Sequence, residues 1–180
     1  DNTTSQPAVE YDTNITKTMP FYNTFHDKVI SLVEIVKPEA QSWLDTGCGS
    51  VTFVAKAMKK FSHTNFLLAD PSSAMLEITK EKLMDKNCQF FLCGTDELNL
   101  PEESLDVISA ILAHHYYSSL TAKRSAVANC FRMLKAGGIY VNFESFKPAS
   151  EQGMWIALEC WRRAQIAAGK EEKEVEKHLN

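Results

Sequence analysis

Short apolar runs alternate along this chain with stretches of helical spacing. Gln41 to Asp45 is an apolar run ending in an acid and predicts a first strand, and Phe53 to Phe61 predicts the helix after it. Phe66 to Asp70 predicts a second strand. Ser73 to Met84 repeats Ala74, Leu76, Ile78 and Leu83 in rough helical spacing, behind a proline and serines. Cys88 to Cys93 reads as a third strand and Gly94 to Ser104 as an acidic loop. Leu105 to Leu112 is almost continuously apolar, which suits a strand buried on both faces. Leu120 to Leu134 predicts a helix ended by Lys135-Ala136-Gly137-Gly138, with glycine past its last turn, and Ile139 to Phe143 a fifth strand. Ahead of all this, Ile15 to Val36 is largely helical but broken at Pro20, so two helical pieces meet there.

Strands alternating with helices of this length imply parallel βαβ units and a doubly wound α/β sheet. After Pro148 the alternation stops. Met154 to Ala168 is one helical pattern, with Trp155, Leu158 and Trp161 in a mixed apolar stripe, and Glu171 to His178 is a charged run. The reading therefore divides the chain into an N-terminal helical segment (1–40), an α/β core (41–146) and a helical lid or extension (147–180). A strand order of 3-2-1-4-5 would leave Ile139 to Phe143 as an open apolar edge, which natural proteins normally cover. The expectation is a chain that continues beyond Asn180, or a homodimer along that edge.

The length of 180 residues suits one domain with a sizeable core. A net charge of −4 gives no electrostatic case for a nucleic-acid or anionic-membrane partner. The five cysteines, Cys48, Cys88, Cys93, Cys130 and Cys160, show neither C-x-x-C nor zinc spacing, and reduced thiols in a cytoplasmic protein are the simpler account. The polar opening, Asp1 to Gln6, does not read as a signal peptide, and no apolar run approaches the roughly twenty residues of a membrane span.

Chemistry concentrates at Trp43-Leu44-Asp45-Thr46-Gly47-Cys48-Gly49, a strand, a tight turn and a helix start. Glycines there let the backbone pass close to a ligand, beside the N–H groups of a helix N-terminus. Asp70 ends the second strand about twenty residues on, where a nucleoside ribose needs a carboxylate for its hydroxyls. The alternative is that Asp70 only caps the next helix, through Pro71 and Ser72.

From about Tyr11 to Glu144 the chain resembles the class I S-adenosylmethionine-dependent methyltransferases of small-molecule type. Four motifs carry the resemblance in order: Leu44 to Gly49, Asp70-Pro71-Ser72-Ser73-Ala74-Met75-Leu76, Gly94-Thr95-Asp96-Glu97-Leu98-Asn99-Leu100-Pro101, and Leu134 to Gly138. It implies a Rossmann-like sheet in the order 3-2-1-4-5, lacking the family's last two strands, and S-adenosyl-L-methionine as cofactor. By the same resemblance Asp45, Gly47, Cys48 and Gly49 meet the methionine end. Asp70, beside Pro71, holds the ribose, and Met75 lies against adenine. Either Thr95 or Asp96 reads the adenine edge, and Ile111 counts among the cofactor-binding residues. The late glycine turn is structural. Tyr22, in Met19-Pro20-Phe21-Tyr22, resembles a cofactor-touching tyrosine of some members, though a core aromatic fits equally. Val51 stands where the family usually has a third glycine, so either the helix sits slightly further out, and a glycine there should tighten cofactor binding, or residues at this spot have been lost or altered.

Methyl transfer from a sulfonium needs few protein groups, because the cofactor carries the hard chemistry and the protein aligns the acceptor. His114 and His115, just past the fourth strand, are the candidate general bases. The favoured reading has one of the pair packing against Tyr116 or Tyr117 and shaping the pocket. His26 reads as a packed or solvated residue rather than a ligand, and Trp155 and Trp161 as lid or ordinary helix stripe. A nicotinamide enzyme is disfavoured by Thr52 at the last place of G-x-G-x-x-G, and a base or amide N-methyltransferase by Ala113-His114-His115-Tyr116 after the fourth strand. No carboxylate cluster suggests a metal. The sequence thus predicts a methyltransferase for a small-molecule acceptor, with a non-catalytic cofactor-binding module or oligomer partner as the alternative.

Overall fold

Trp43 and Leu44 point to opposite sides of the central strand, and the two cores grow from them. That strand, β1 (Ser42–Thr46), pairs in parallel with β2 (Asn65–Ala69) on one side and β4 (Leu105–Ile111) on the other. β3 (Cys88–Phe91) lies outside β2 and β5 (Leu134–Phe143) outside β4, giving the order 3-2-1-4-5 with every pairing parallel. The computed structural model describes residues 11–84 and 88–179, so the opening segment Asp1 to Gln6 lies outside the described residues.

Register sorts the side chains by the two-residue period of a strand. Trp43 stands level with Phe66 and Val107, and its face is covered by α2 (Tyr22–Val36) and α3 (Thr52–Lys60) through Val29, Val33, Phe53, Val54 and Ala57. Leu44 stands level with Leu67 and Ile108, and α5 (Leu120–Met133) covers them with Cys130 and Met133. α1 (Tyr11–Thr18) meets α2 at Pro20, the predicted break. Serine hydroxyls open three helices: Ser72 accepts from Met75 N before α4 (Ser73–Lys82), Ser119 from Ala122 N before α5, and Ser150 from Gly153 N before α6 (Glu151–Ala167). α7 (Glu172–Leu179) follows and buries Val175. Trp161 on α6 donates its indole N–H to the Thr18 carbonyl, which holds the C-terminal helices against the end of α1.

One helix end differs from the prediction. α5 stops at Met133 because Leu134 is already extended, and β5 begins there rather than at Ile139. The glycines serve the strand instead of capping the helix. Leu134 pairs with Leu105, the register then slips, and regular pairing resumes at Ile139 opposite Val107. At Gly138 a Cβ would sit 2.9 Å from the Lys135 carbonyl oxygen and 3.1 Å from that of Leu105, so no side chain fits inside this irregularity. Among the described residues no strand pairs with the far edge of β5, and no helix is long and apolar enough to cross a membrane.

Candidate functional site

A cavity of about 370 Å³ opens where β1 and β4 part, beyond the C-terminal ends of the strands, the usual ligand position of such sheets. All eleven residues predicted to meet a cofactor line it: Tyr22, Asp45, Gly47, Cys48, Gly49, Asp70, Pro71, Met75, Thr95, Asp96 and Ile111.

The turn after β1 is tied to β2. Gly47 N and Cys48 N both donate to the Ala69 carbonyl, at 2.8 and 3.0 Å, and Gly49 N donates to Asp70 Oδ2 at 2.9 Å. Gly47 has φ +70, and a Cβ on it would come within 2.4 Å of Ala113 Cβ, so glycine is required twice over. Val51 takes φ 65, the left-handed conformation that a glycine would favour, while its side chain is buried in the core and does not line the cavity. The turn therefore follows a glycine-like course with a β-branched residue strained inside it.

Asp70 stands at the start of the next helix and at the cavity wall together. Its Oδ1 accepts from Ser72 N at 2.9 Å, at the start of α4, and the residue also lines the cavity. Burial pushes its pKa up, against the pull of the two backbone donors. Asp45 is more enclosed. It accepts a hydrogen bond from Ser109, which itself accepts from Trp43 Nε1 at 2.8 Å. Burial, relieved only partly by Ser109 and reinforced by the charge of Asp70, lifts Asp45 to about 7. Burial likewise raises the Cys48 thiol and the Tyr22 phenol.

In the loop after β3, Thr95 and Asp96 face opposite ways. Thr95 is buried and turns inward, with its hydroxyl 2.7 Å from Thr46 Oγ1 and 3.1 Å from His114 Nε2. Asp96 is exposed, and its Oδ1 accepts from Tyr117 OH at 2.6 Å. Asn129 on α5 pins the loop by donating to the carbonyls of Thr95 and Leu98.

Neither candidate base lines the cavity. His114 is buried between Thr95 and Tyr140, whose hydroxyl lies 2.8 Å from its Nδ1, and its ring stacks on Tyr140. Burial lowers its pKa, against the opposing charge of Glu144. His115 Nδ1 lies 2.6 Å from Glu144 Oε2, and its ring is tilted against Tyr116. Trp155 and Trp161 stand away from the cavity as well.

Three contributors carry no motif and were missed. Glu144, just past β5, accepts from the backbone N–H groups of Ala113, His114 and His115, at 3.3, 2.7 and 3.3 Å. It thereby holds the 3₁₀ turn His114–Tyr116 under the cavity. These bonds and His115 keep its carboxyl below the usual range although burial acts upward. Asp12 on α1 accepts from Ser50, Thr52 and Lys82, fastening α1 over the glycine turn, and so brings the third, Tyr11, to the cavity wall.

Fold and site define a doubly wound α/β domain with a cavity at the switch of strand order. A methyltransferase-domain profile matches residues 44–138, more than half of the chain, and the chain belongs to the methyltransferase domain family. Over 116 residues it is 31% identical to the ubiquinone/menaquinone biosynthesis C-methyltransferase UbiE of Erwinia tasmaniensis, covering 62% of this chain and 45% of that protein. It is 35% identical over 88 residues to UbiE of Campylobacter jejuni, covering 49% and 34%. The chain thus spans less than half the length of these relatives. Among solved structures, Streptomyces venezuelae DesVI superposes with a TM-score of 0.68 at 22% identity, over 82% of this chain and 61% of that one. The S-adenosylmethionine-bound amino pentose methyltransferase CalS10 of Micromonospora echinaspora gives 0.68 at 19%, over 82% and 60%. These two likenesses establish the fold.

Proposed function

We propose that the protein is an S-adenosylmethionine-dependent methyltransferase acting on a small-molecule acceptor in the cytoplasm. The observation that carries this reading is the cavity itself. It sits against the glycine turn and is lined by four carboxylates, Asp45, Asp70, Asp96 and Glu97, and none of its described lining residues is a lysine or arginine. Such a lining suits a ligand of net positive charge, and the cofactor combines a sulfonium, an ammonium and one carboxylate.

The sulfonium supplies an activated methyl group, so the protein's work is to bind, orient and exclude water. Asp70 accepts from the ribose hydroxyls with the lone pairs left by Gly49 and Ser72. Met75 supplies an apolar surface for adenine, and Asp96 is the residue that accepts from its amino group, since the Thr95 hydroxyl is committed inward. Asp45 faces the cationic methionine end. Tyr11 and Tyr22 close the cavity from the N-terminal helices. His114 and His115 fix the loop beneath it, and since neither lines the cavity, the proton that a hydroxyl, ring-carbon or amine acceptor gives up on methylation passes to solvent. The names of the relatives support a small-molecule acceptor, and the net charge of −4 gives nucleic acid no electrostatic advantage.

Calorimetry with S-adenosylmethionine, followed by transfer of a labelled methyl group to a panel of small quinols, phenols and amino sugars, tests the reading. Binding with transfer to one class is expected. A folded protein that binds no cofactor overturns it, and binding without any transfer reduces it to a cofactor-holding module.

A further inference from the structure

His26 on α2 is 1% exposed, forms part of the cavity wall, and its Nδ1 has no hydrogen-bond partner. Buried polar nitrogens are almost always paired, so an orphan beside a ligand cavity points to a partner that arrives with the ligand. The ring is held edge-on by Tyr22, Phe25 and Phe53, with centroids 4.3 to 5.4 Å away, and none of these takes its nitrogen. The nearby charges are occupied elsewhere. Lys56 on α3 lies 3.0 Å from Asp27 and 3.4 Å from the Asn23 carbonyl oxygen, and neither Lys56 nor Asp27 lines the cavity.

Charge decides what the partner is. Among the described lining residues His26 is the only side chain that can gain a positive charge by taking up a proton. The cofactor, for its part, carries one anionic group, the α-carboxylate of its methionine part. Every other ionised group of the lining repels that carboxylate. We propose that His26 holds the cofactor's α-carboxylate, donating a ring N–H to it. The inference rests on the cofactor reading above. It also implies a proton uptake: in the ligand-free protein burial first, then Lys56, against the smaller opposing effect of Asp27, depress His26 to about 4, and a carboxylate beside the ring favours the imidazolium.

The test compares S-adenosylmethionine with its decarboxylated counterpart, which lacks only that group. Affinities are measured by calorimetry for the unaltered protein, His26→Phe and His26→Gln. Losing a charge-assisted hydrogen bond costs about tenfold or more, so His26→Phe should weaken S-adenosylmethionine by that factor and leave the decarboxylated ligand within about twofold. His26→Gln, which keeps an N–H donor, should fall between. At pH 6 the unaltered protein should take up protons on binding S-adenosylmethionine, read from two buffers of different ionisation heat, and His26→Phe should not. Equal weakening of both ligands, or no weakening, overturns the assignment while leaving cofactor binding intact. Failure of the unaltered protein to bind either ligand overturns the cofactor reading and this inference with it. Should His26→Phe not fold, His26→Gln and the proton uptake of the unaltered protein decide.

Discussion

Asp45 is a fully buried carboxylate held by one serine hydroxyl, so the stability of the ligand-free protein should depend on pH through it, and replacing it with asparagine should remove that dependence. Folding raises its pKa from 3.8 to about 7, so the folded state binds the proton more tightly than the unfolded chain does. Stability from this group is therefore complete below about pH 4, declines as pH climbs, and is lost above about pH 7. At about 1.4 kcal/mol per pKa unit the whole loss is about 4 kcal/mol, of which about 2.5 kcal/mol falls between pH 5 and pH 8. His26 acts oppositely. Its pKa is lowered from 6.5 to about 4, so it adds stability as pH rises through that window, and the profile of the unaltered protein alone is flattened. The difference between the two proteins isolates Asp45. The asparagine side chain can still accept from Ser109, and its new amide N–H adds a penalty that does not vary with pH. Urea unfolding followed by the fluorescence of Trp43, whose indole donates to that same Ser109, is the assay. The stability of Asp45→Asn relative to the unaltered protein should rise by about 2.5 kcal/mol from pH 5 to pH 8, or about 1 M in urea midpoint. Parallel profiles across that range would refute the account.

The other substitutions probe the frame of the cavity. Asp70→Ala should weaken S-adenosylmethionine by about 1.5–3 kcal/mol and lower the melting temperature, since Gly49 N and Ser72 N lose their acceptor; unchanged affinity by calorimetry would contradict the ribose role. Glu144→Gln should cost about 2 kcal/mol at pH 7 by weakening the bonds to the turn at His114. Because the pKa of Glu144 is held below 4.5, that deficit should shrink as pH falls below this value, and thermal melts from pH 3 to 7 would expose a pH-independent deficit. Val51→Gly removes about 1–2 kcal/mol of left-handed strain but loses a buried side chain worth a similar amount. Melting should move little, and because the turn already follows a glycine-like course with Val51 outside the cavity lining, cofactor affinity by calorimetry should stay unchanged; tighter binding would show that the valine holds the turn away from the ligand.

Strand and helix order, the break at Pro20 and the glycine turn with Asp70 across from it were legible in the sequence because each rests on local physics. Periodicity reports which faces are apolar, and a turn that must approach Ala113 closely accepts only glycine at position 47. The end of α5 was misread for the same reason: two glycines after a helix suggest a cap, and only the pairing of Leu134 with Leu105 shows that the strand has already begun. That the Thr95 hydroxyl turns inward while Asp96 stays exposed depends on Thr46, His114 and Tyr117 around them. Glu144, Asp12, Tyr11 and the orphaned nitrogen of His26 left no trace in the sequence. Their roles come from neighbours far away along the chain, such as Glu144 on the turn at His114 and Asp12 on Ser50 and Lys82, and a side chain's partners are fixed only when the sheet brings those segments together.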